Sequence, residues 1–132
     1  MRLIPISGQA GSNFAKTFRR MADESQVTKR CNMIADLIEH LEGNVVGPDT
    51  YAFKSMDELV LTDEDTWKKR LVTINADVNK WLVPDGYEIA YRVAPPWFHT
   101  IGYADTIANA AELVLEALHH ADRNGKINEC YI

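Results

Sequence analysis

Five stretches of the chain alternate or cluster apolar residues in the way that short β-strands do. Tyr87, Ile89, Tyr91 and Val93 give the clearest alternation, with polar or small residues between them. The Pro95–Pro96 pair interrupts this run because proline cannot donate to a sheet ladder, and the stretch after it is expected to pair back as a hairpin. The predicted strands lie at residues 2–7, around 51–53, at 87–93, at 97–103 and at 127–132.

Four other segments repeat apolar residues every three or four positions, which is the period of an amphipathic helix. The first begins after Ser12 as its cap, and the second begins at Asp23 or Ser25 and ends at Gly43. The third is predicted from Thr62, a threonine cap followed by three carboxylates, and the fourth spans about residues 105–121. The apolar stripes are Phe14, Phe18 and Met21; Val27, Cys31, Ile34, Ile38 and Leu41; Trp67, Leu71, Ile74, Val78 and Trp81; and Ile107, Ala111, Val114 and Leu118.

Together these elements predict one α+β domain over residues 1–132, with about four helices packed on one face of a small, mainly antiparallel sheet. A content of 46% hydrophobic and 25% charged residues excludes a disordered, collagen-like or disulfide-scaffold chain. No apolar run reaches the roughly 18–20 residues of a membrane helix, and the N-terminus is too polar for a signal peptide. We therefore expect a cytoplasmic protein with no membrane partner.

Charge is unevenly distributed along the chain. The first 30 residues carry a net charge of +4 and the remaining 102 carry −9, which gives −5 for the whole protein. Such polarity favours association with a charged partner. Direct binding to nucleic acid is disfavoured because the domain is acidic overall, although an acidic decoy for a nucleic-acid-binding enzyme is compatible with this charge.

The strongest functional signal is a group of aromatic and basic residues around the diproline. Tyr91, Arg92, Trp97, Phe98 and His99 lie close together in the predicted hairpin. At least one of Trp97 and Phe98 faces away from the core, because neighbouring strand residues point to opposite sides. Exposed aromatic and arginine side chains are typical of interface hot spots, so we predict that these five residues contact a partner. The alternative is that both aromatics are buried between sheet and helices.

A glycine-containing turn precedes the first predicted helix and suggests a weaker, anion-binding site. Gly8, Gly11 and Ser12 place backbone N–H groups at a helix N-terminus, where an anion is favoured. Three cations follow within two turns and add positive charge, namely Lys16, Arg19 and Arg20. The spacing matches neither the P-loop nor the dinucleotide pattern, and a tight turn with a serine cap explains it equally well.

Carboxylates and histidines occur at helical spacing but on the polar sides of their helices. Asp36 lies four residues before His40, and Glu116 lies three and four residues before His119 and His120. Five more carboxylates occur at residues 57–58 and 63–65, where a solvated turn and helix capping explain them. Cys31 belongs to an apolar stripe, and Cys130 lies too far from it in sequence for a short-spaced metal pair. We therefore expect no metal and no cofactor.

The chain contains no motif of the common hydrolases, kinases, zinc enzymes or deaminases. We therefore favour a small binding or accessory protein that docks on another protein, such as the inhibitors of larger machines that phages and mobile elements encode. One alternative is a protein that sequesters or transforms a nucleotide or another anionic metabolite, with the phosphate at the Gly8–Ser12 turn and the base on an aromatic residue. A second alternative is a homo-oligomer whose exposed aromatics form the subunit interface.

Overall fold

A computed structural model describes residues 1–9, 11, 13–24, 28–80, 83–94 and 97–121, without the side chains of residues 78–80, 83–85, 94 and 97. Six strands and three α-helices form this part of the chain, together with a short 3-10 turn at Ser7–Gln9. In chain order they are β1 (Leu3–Pro5), α1 (Phe14–Glu24), α2 (Thr28–Asn44), β2 (Thr50–Ser55), β3 (Glu58–Thr62), β4 (Val72–Lys80), β5 (Val83–Ala94), β6 (Trp97–Ala104) and α3 (Ile107–His120). The α+β class predicted from the sequence is thereby confirmed.

The six strands form one mixed sheet in which spatial order follows chain order, from β1 to β6. β1 and β2 are parallel because the chain passes through α1 and α2 between them, and such a crossover is what parallel neighbours require. Each of the other four neighbouring pairs is antiparallel. The expected hairpin of residues 87–103 is confirmed as β5 and β6.

One hydrophobic core joins the three helices to one face of the sheet. Cys31 of α2 is fully buried in it, as its stripe predicted, and burial raises the pKa of its thiol. The buried phenol of Tyr87 in β5 donates to the Met33 carbonyl at 2.8 Å, and burial raises its pKa to about 12.

Asn13 caps α1, since its Oδ1 accepts the Lys16 N–H at 3.1 Å; the predicted cap, Ser12, lies outside the described residues.

The predicted third helix over Trp67–Trp81 is wrong. Residues 72–80 form β4, so the described residues contain three α-helices where about four were expected. Val72, Ile74 and Ala76 alternate at a period of two and are almost completely buried, whereas Trp67 is 56% exposed in the loop before the strand. The β-branched residues of this segment favour a strand, and pairing with β3 and β5 fixes it as one.

The carboxylates assigned to the cap of that helix have other roles. Asp63 lies 3.0 Å from the buried Lys69 Nζ, and Asp65 Oδ1 accepts the Ser7 N–H at 2.6 Å. The loop after β3 is thus tied to the 3-10 turn that follows β1.

β5 begins at Val83, four residues before the alternation from which it was predicted. The terminal strand at 127–132, the Pro95–Pro96 pair and Cys130 lie outside the described residues. None of the helices in the described part is long and apolar enough to cross a membrane.

Candidate functional site

The β5–β6 register divides the predicted contact residues between the two faces of the sheet. Tyr91 pairs with His99 on the face that the helices cover, whereas Arg92 pairs with Phe98 on the opposite face. The side chain of Trp97 lies outside the described part. The four described side chains therefore do not form one continuous surface on either face.

Burial further separates these residues. Arg92 is only 1% exposed, and its backbone N–H donates to the Leu71 carbonyl at 2.8 Å, so the expected contact role of Arg92 is not supported. Phe98 is 38% exposed, and the next two residues of β6, His99 and Thr100, are exposed as well. Accessible groups of the predicted patch are thus concentrated on β6.

β6 is the edge strand of the sheet among the described residues, since β5 is its one neighbour there. It contains no lysine, arginine, aspartate, glutamate or proline, which are the residues that usually protect an edge strand from pairing with another chain. The opposite edge, β1, has three residues and ends at Pro5. We call Phe98, His99 and Thr100 the β6 edge surface.

The end of α3 adds two imidazoles behind this surface. The Tyr91 ring lies 5.4 Å from the His99 ring and 6.0 Å from the His120 ring, measured between centroids, and His119 lies 5.2 Å from His120. His99, His119 and His120 are exposed and Tyr91 is half-buried. In the described part of the chain none of these histidines forms an ion pair, so the cluster offers aromatic surface and imidazole donors and acceptors.

Sequence reasoning missed this contribution, because it assigned His119 and His120 to solvated helix surface and did not connect them with the hairpin. The contact follows from the packing of α3 against β5 and β6, which no local pattern encodes. Of the four rings in this cluster, the sequence indicated Tyr91 and His99 in the hairpin but not His119 and His120 in α3.

The predicted anion-binding residues are brought together in part. Lys16, Arg19 and Arg20 line an open groove of about 900 Å³ between α1 and α2, but Gly8 and Gly11 do not. Carboxylates line the same groove, namely Asp23, Glu39 and Glu42. Ser12 lies outside the described residues, so its role stays a prediction.

One of the three cations in that groove is already paired. The Arg19 Nη2 lies 2.6 Å from Asp36 and 3.1 Å from Glu39, and the hydrogen bond to Asp36 raises the pKa of the guanidinium above its ordinary value. Gln9, within the glycine-containing turn, hydrogen-bonds both backbone groups of Lys54 in β2, at 3.0 and 2.9 Å. The turn is therefore held against the sheet by contacts of its own.

The carboxylates at residues 57–58 are engaged with cations. Asp57 pairs with Arg30, and Glu58 pairs with Arg70 and accepts from the Asn75 side chain at 3.2 Å. No group of three or more histidine, cysteine, aspartate or glutamate side chains in the described ranges is arranged to hold a metal ion.

No family model matches this chain, and neither a curated protein nor a solved structure matches it.

Proposed function

We propose that this protein is a binding protein that docks on another protein through the β6 edge surface. The observation that carries the proposal is the simultaneous exposure of Phe98, His99 and Thr100, three consecutive residues of the strand that forms the edge of the sheet among the described residues. Because neighbouring strand residues point to opposite faces, a partner that approaches the edge reaches Phe98 on one face and His99 on the other. A partner at the edge therefore contacts residues that lie on opposite faces of the sheet.

The chemistry of this surface suits an added strand. An extended segment of a partner pairs with the free N–H and C=O groups of an edge strand, and alternate side chains supply specificity. Phe98 provides apolar area, while His99, Tyr91 and His120 form an aromatic wall on the other face. Val93, near the end of β5, is a second exposed apolar residue of the hairpin, 42% accessible.

The test compares Phe98→Ala with Met56→Ala. Met56 is a matched control because it is also a large exposed apolar residue, 82% accessible. It lies in the turn between β2 and β3, outside the β5–β6 hairpin. Each tagged variant is purified gently from its source cells and measured by native mass spectrometry, after its melting temperature has shown that it is folded. We expect the wild-type protein and Met56→Ala to carry a second protein that Phe98→Ala loses, with affinity reduced about 30-fold if Phe98 is a hot spot.

Three results contradict the proposal. If Phe98→Ala retains the partner as well as Met56→Ala does, the β6 edge surface is not the docking site. A wild-type protein that carries no second protein removes the docking function itself. A complex that contains only copies of this chain, and that Phe98→Ala dissociates, assigns the surface to a homo-oligomer.

A further inference from the structure

A narrow groove runs between the C-terminal half of α3 and the loop that joins α2 to β2. It consists of two hollows of about 280 and 250 Å³, which share Pro48 and Leu118 as lining residues and therefore lie side by side. The first hollow is completed by Leu115 and His119 and is mostly apolar. We call the two hollows together the loop groove.

The second hollow combines the apolar floor with carboxylates and hydroxyls. Asp49 and Asp63 line it, together with Thr50 and Thr62. Asp49 is exposed and forms no ion pair among the described residues, whereas Asp63 is paired with Lys69. Thr62 is fully buried, and its Oγ1 has no hydrogen-bond partner in the described part of the chain. Such an unsatisfied buried hydroxyl is uncommon.

The loop that forms one wall of the groove is held in place. The N-terminal amine of Met1 donates to the Val45 carbonyl, and a Cβ on Gly47 would lie 3.2 Å from the Leu115 Cδ2, so the loop lies tightly against α3. Val46, on the same loop, is nevertheless 97% exposed. A fixed wall with an exposed apolar residue beside it is a preorganised contact surface, which lowers the entropic cost of binding.

We propose that the loop groove binds a lysine or arginine side chain of a partner protein. The aliphatic part of that side chain lies on Pro48 and Leu118, and its charged end reaches the carboxylate of Asp49, because Asp63 is already paired with Lys69. The Asp49 carboxylate in the second hollow repels the phosphates of a nucleotide, which favours a cationic side chain as the ligand. The net charge of −9 over residues 31–132 favours a basic partner as well.

This inference goes beyond docking at the β6 edge surface, because it concerns a different surface with its own ligand chemistry. It is tested without the partner of that surface, so either proposal can fail while the other stands. The probes are two blocked tripeptides, acetyl-Ala-Arg-Ala-amide and its counterpart with citrulline, which has the shape of arginine but no charge. Binding is followed by ¹H–¹⁵N NMR titration of the full chain.

We expect the arginine peptide to shift the amide signals of Asp49, Thr50 and Asp63 saturably, and the citrulline peptide to bind at least about fivefold more weakly. Asp49→Asn is expected to weaken the arginine peptide by a similar factor, because it removes one charge without changing the size of the side chain. Asp105→Asn is the matched control, since Asp105 is an exposed aspartate before the opposite end of α3.

The proposal is overturned by any of three outcomes. The first is the absence of localised shifts at the groove up to about 10 mM arginine peptide, a concentration at which even a weak site is occupied. The second is equal binding of the citrulline peptide, which would show that charge is not recognised. The third is an equal loss in Asp49→Asn and Asp105→Asn, which would assign the effect to the net charge of the protein.

Discussion

Val72→Ala distinguishes the β4 strand from the helix that the sequence predicted for the same segment. Val72 is fully buried in β4, between Leu61 of β3 and Tyr91 of β5. In the predicted helix it lies off the apolar stripe and faces solvent, where alanine is the better helix former by roughly 0.5 kcal/mol. The two structures therefore predict effects of opposite sign.

The magnitude follows from the burial of Val72. Alanine removes two methyl groups, which costs roughly 0.8 kcal/mol each in transfer free energy, and the cavity left behind adds to that cost. We expect Val72→Ala to lower the free energy of unfolding by about 2–3 kcal/mol. At an unfolding entropy of about 2.1 cal/mol/K per residue, the melting temperature of this 132-residue chain falls by about 7–11 °C.

Urea denaturation, followed by both far-UV circular dichroism and tryptophan fluorescence, gives the free energy of unfolding. The slope of unfolding against urea is expected to stay constant while the midpoint falls. Thr73→Ala is the control, because Thr73 is half-buried on the opposite face of the same strand, and we expect it to change the stability by less than about 1 kcal/mol. A Val72→Ala variant as stable as the wild type, or more stable, would refute the placement of this residue in β4.

Two further predictions concern pH and hydrogen bonding. Tyr87→Phe removes the hydrogen bond to the Met33 carbonyl and should cost about 1 kcal/mol in urea denaturation. Because the folded pKa of Tyr87 is raised to about 12, stability is full below about pH 10 and is lost toward pH 12, and Tyr87→Phe should flatten that loss. Hydrogen bonds from Ser7 lower the pKa of Asp65, so this pair stabilises the fold above the ordinary aspartate pKa and the contribution is lost as the pH falls. Ser7→Ala should raise that pKa in an NMR titration of the Asp65 carboxyl; an unchanged pKa would contradict the role of the Ser7 hydroxyl.

The sequence predicted correctly those strands and helices in which one side is buried in the core and the other side is much less buried. Tyr87 and Ile89 alternate with less buried residues because β5 packs one face on the helices, and the period of two is therefore visible in the chain. In residues 67–81 the helical and strand periods both fit, since Ile74 belongs to the stripe of each. Pairing with β3 and β5 decided between them, and that pairing is a non-local interaction that no window of the sequence contains.

The sequence indicated those residues of the proposed contact surface that are neighbours in the chain, and not those that are distant in it. Phe98 and His99 adjoin the diproline, whereas His120 lies 29 positions after Tyr91 and meets it only when α3 packs on the sheet. The position of Arg92 in the strand indicates its face but not how deeply it is buried, and the structure buries it beside Leu71.

The last turn of α3 connects the two proposed surfaces, because His119 lines the loop groove and His120 contacts Tyr91 behind the β6 edge surface. A strand that pairs with an open edge is fixed mainly by backbone hydrogen bonds, which repeat along the strand and specify its register weakly. A basic side chain held at Asp49 fixes one point of the partner relative to this chain. A partner that contacts both surfaces passes over His119 and His120. Neither histidine forms an ion pair within the described part of the chain that such a contact would break. A partner that used both surfaces would thus gain most of its affinity at Phe98 and its register at Asp49.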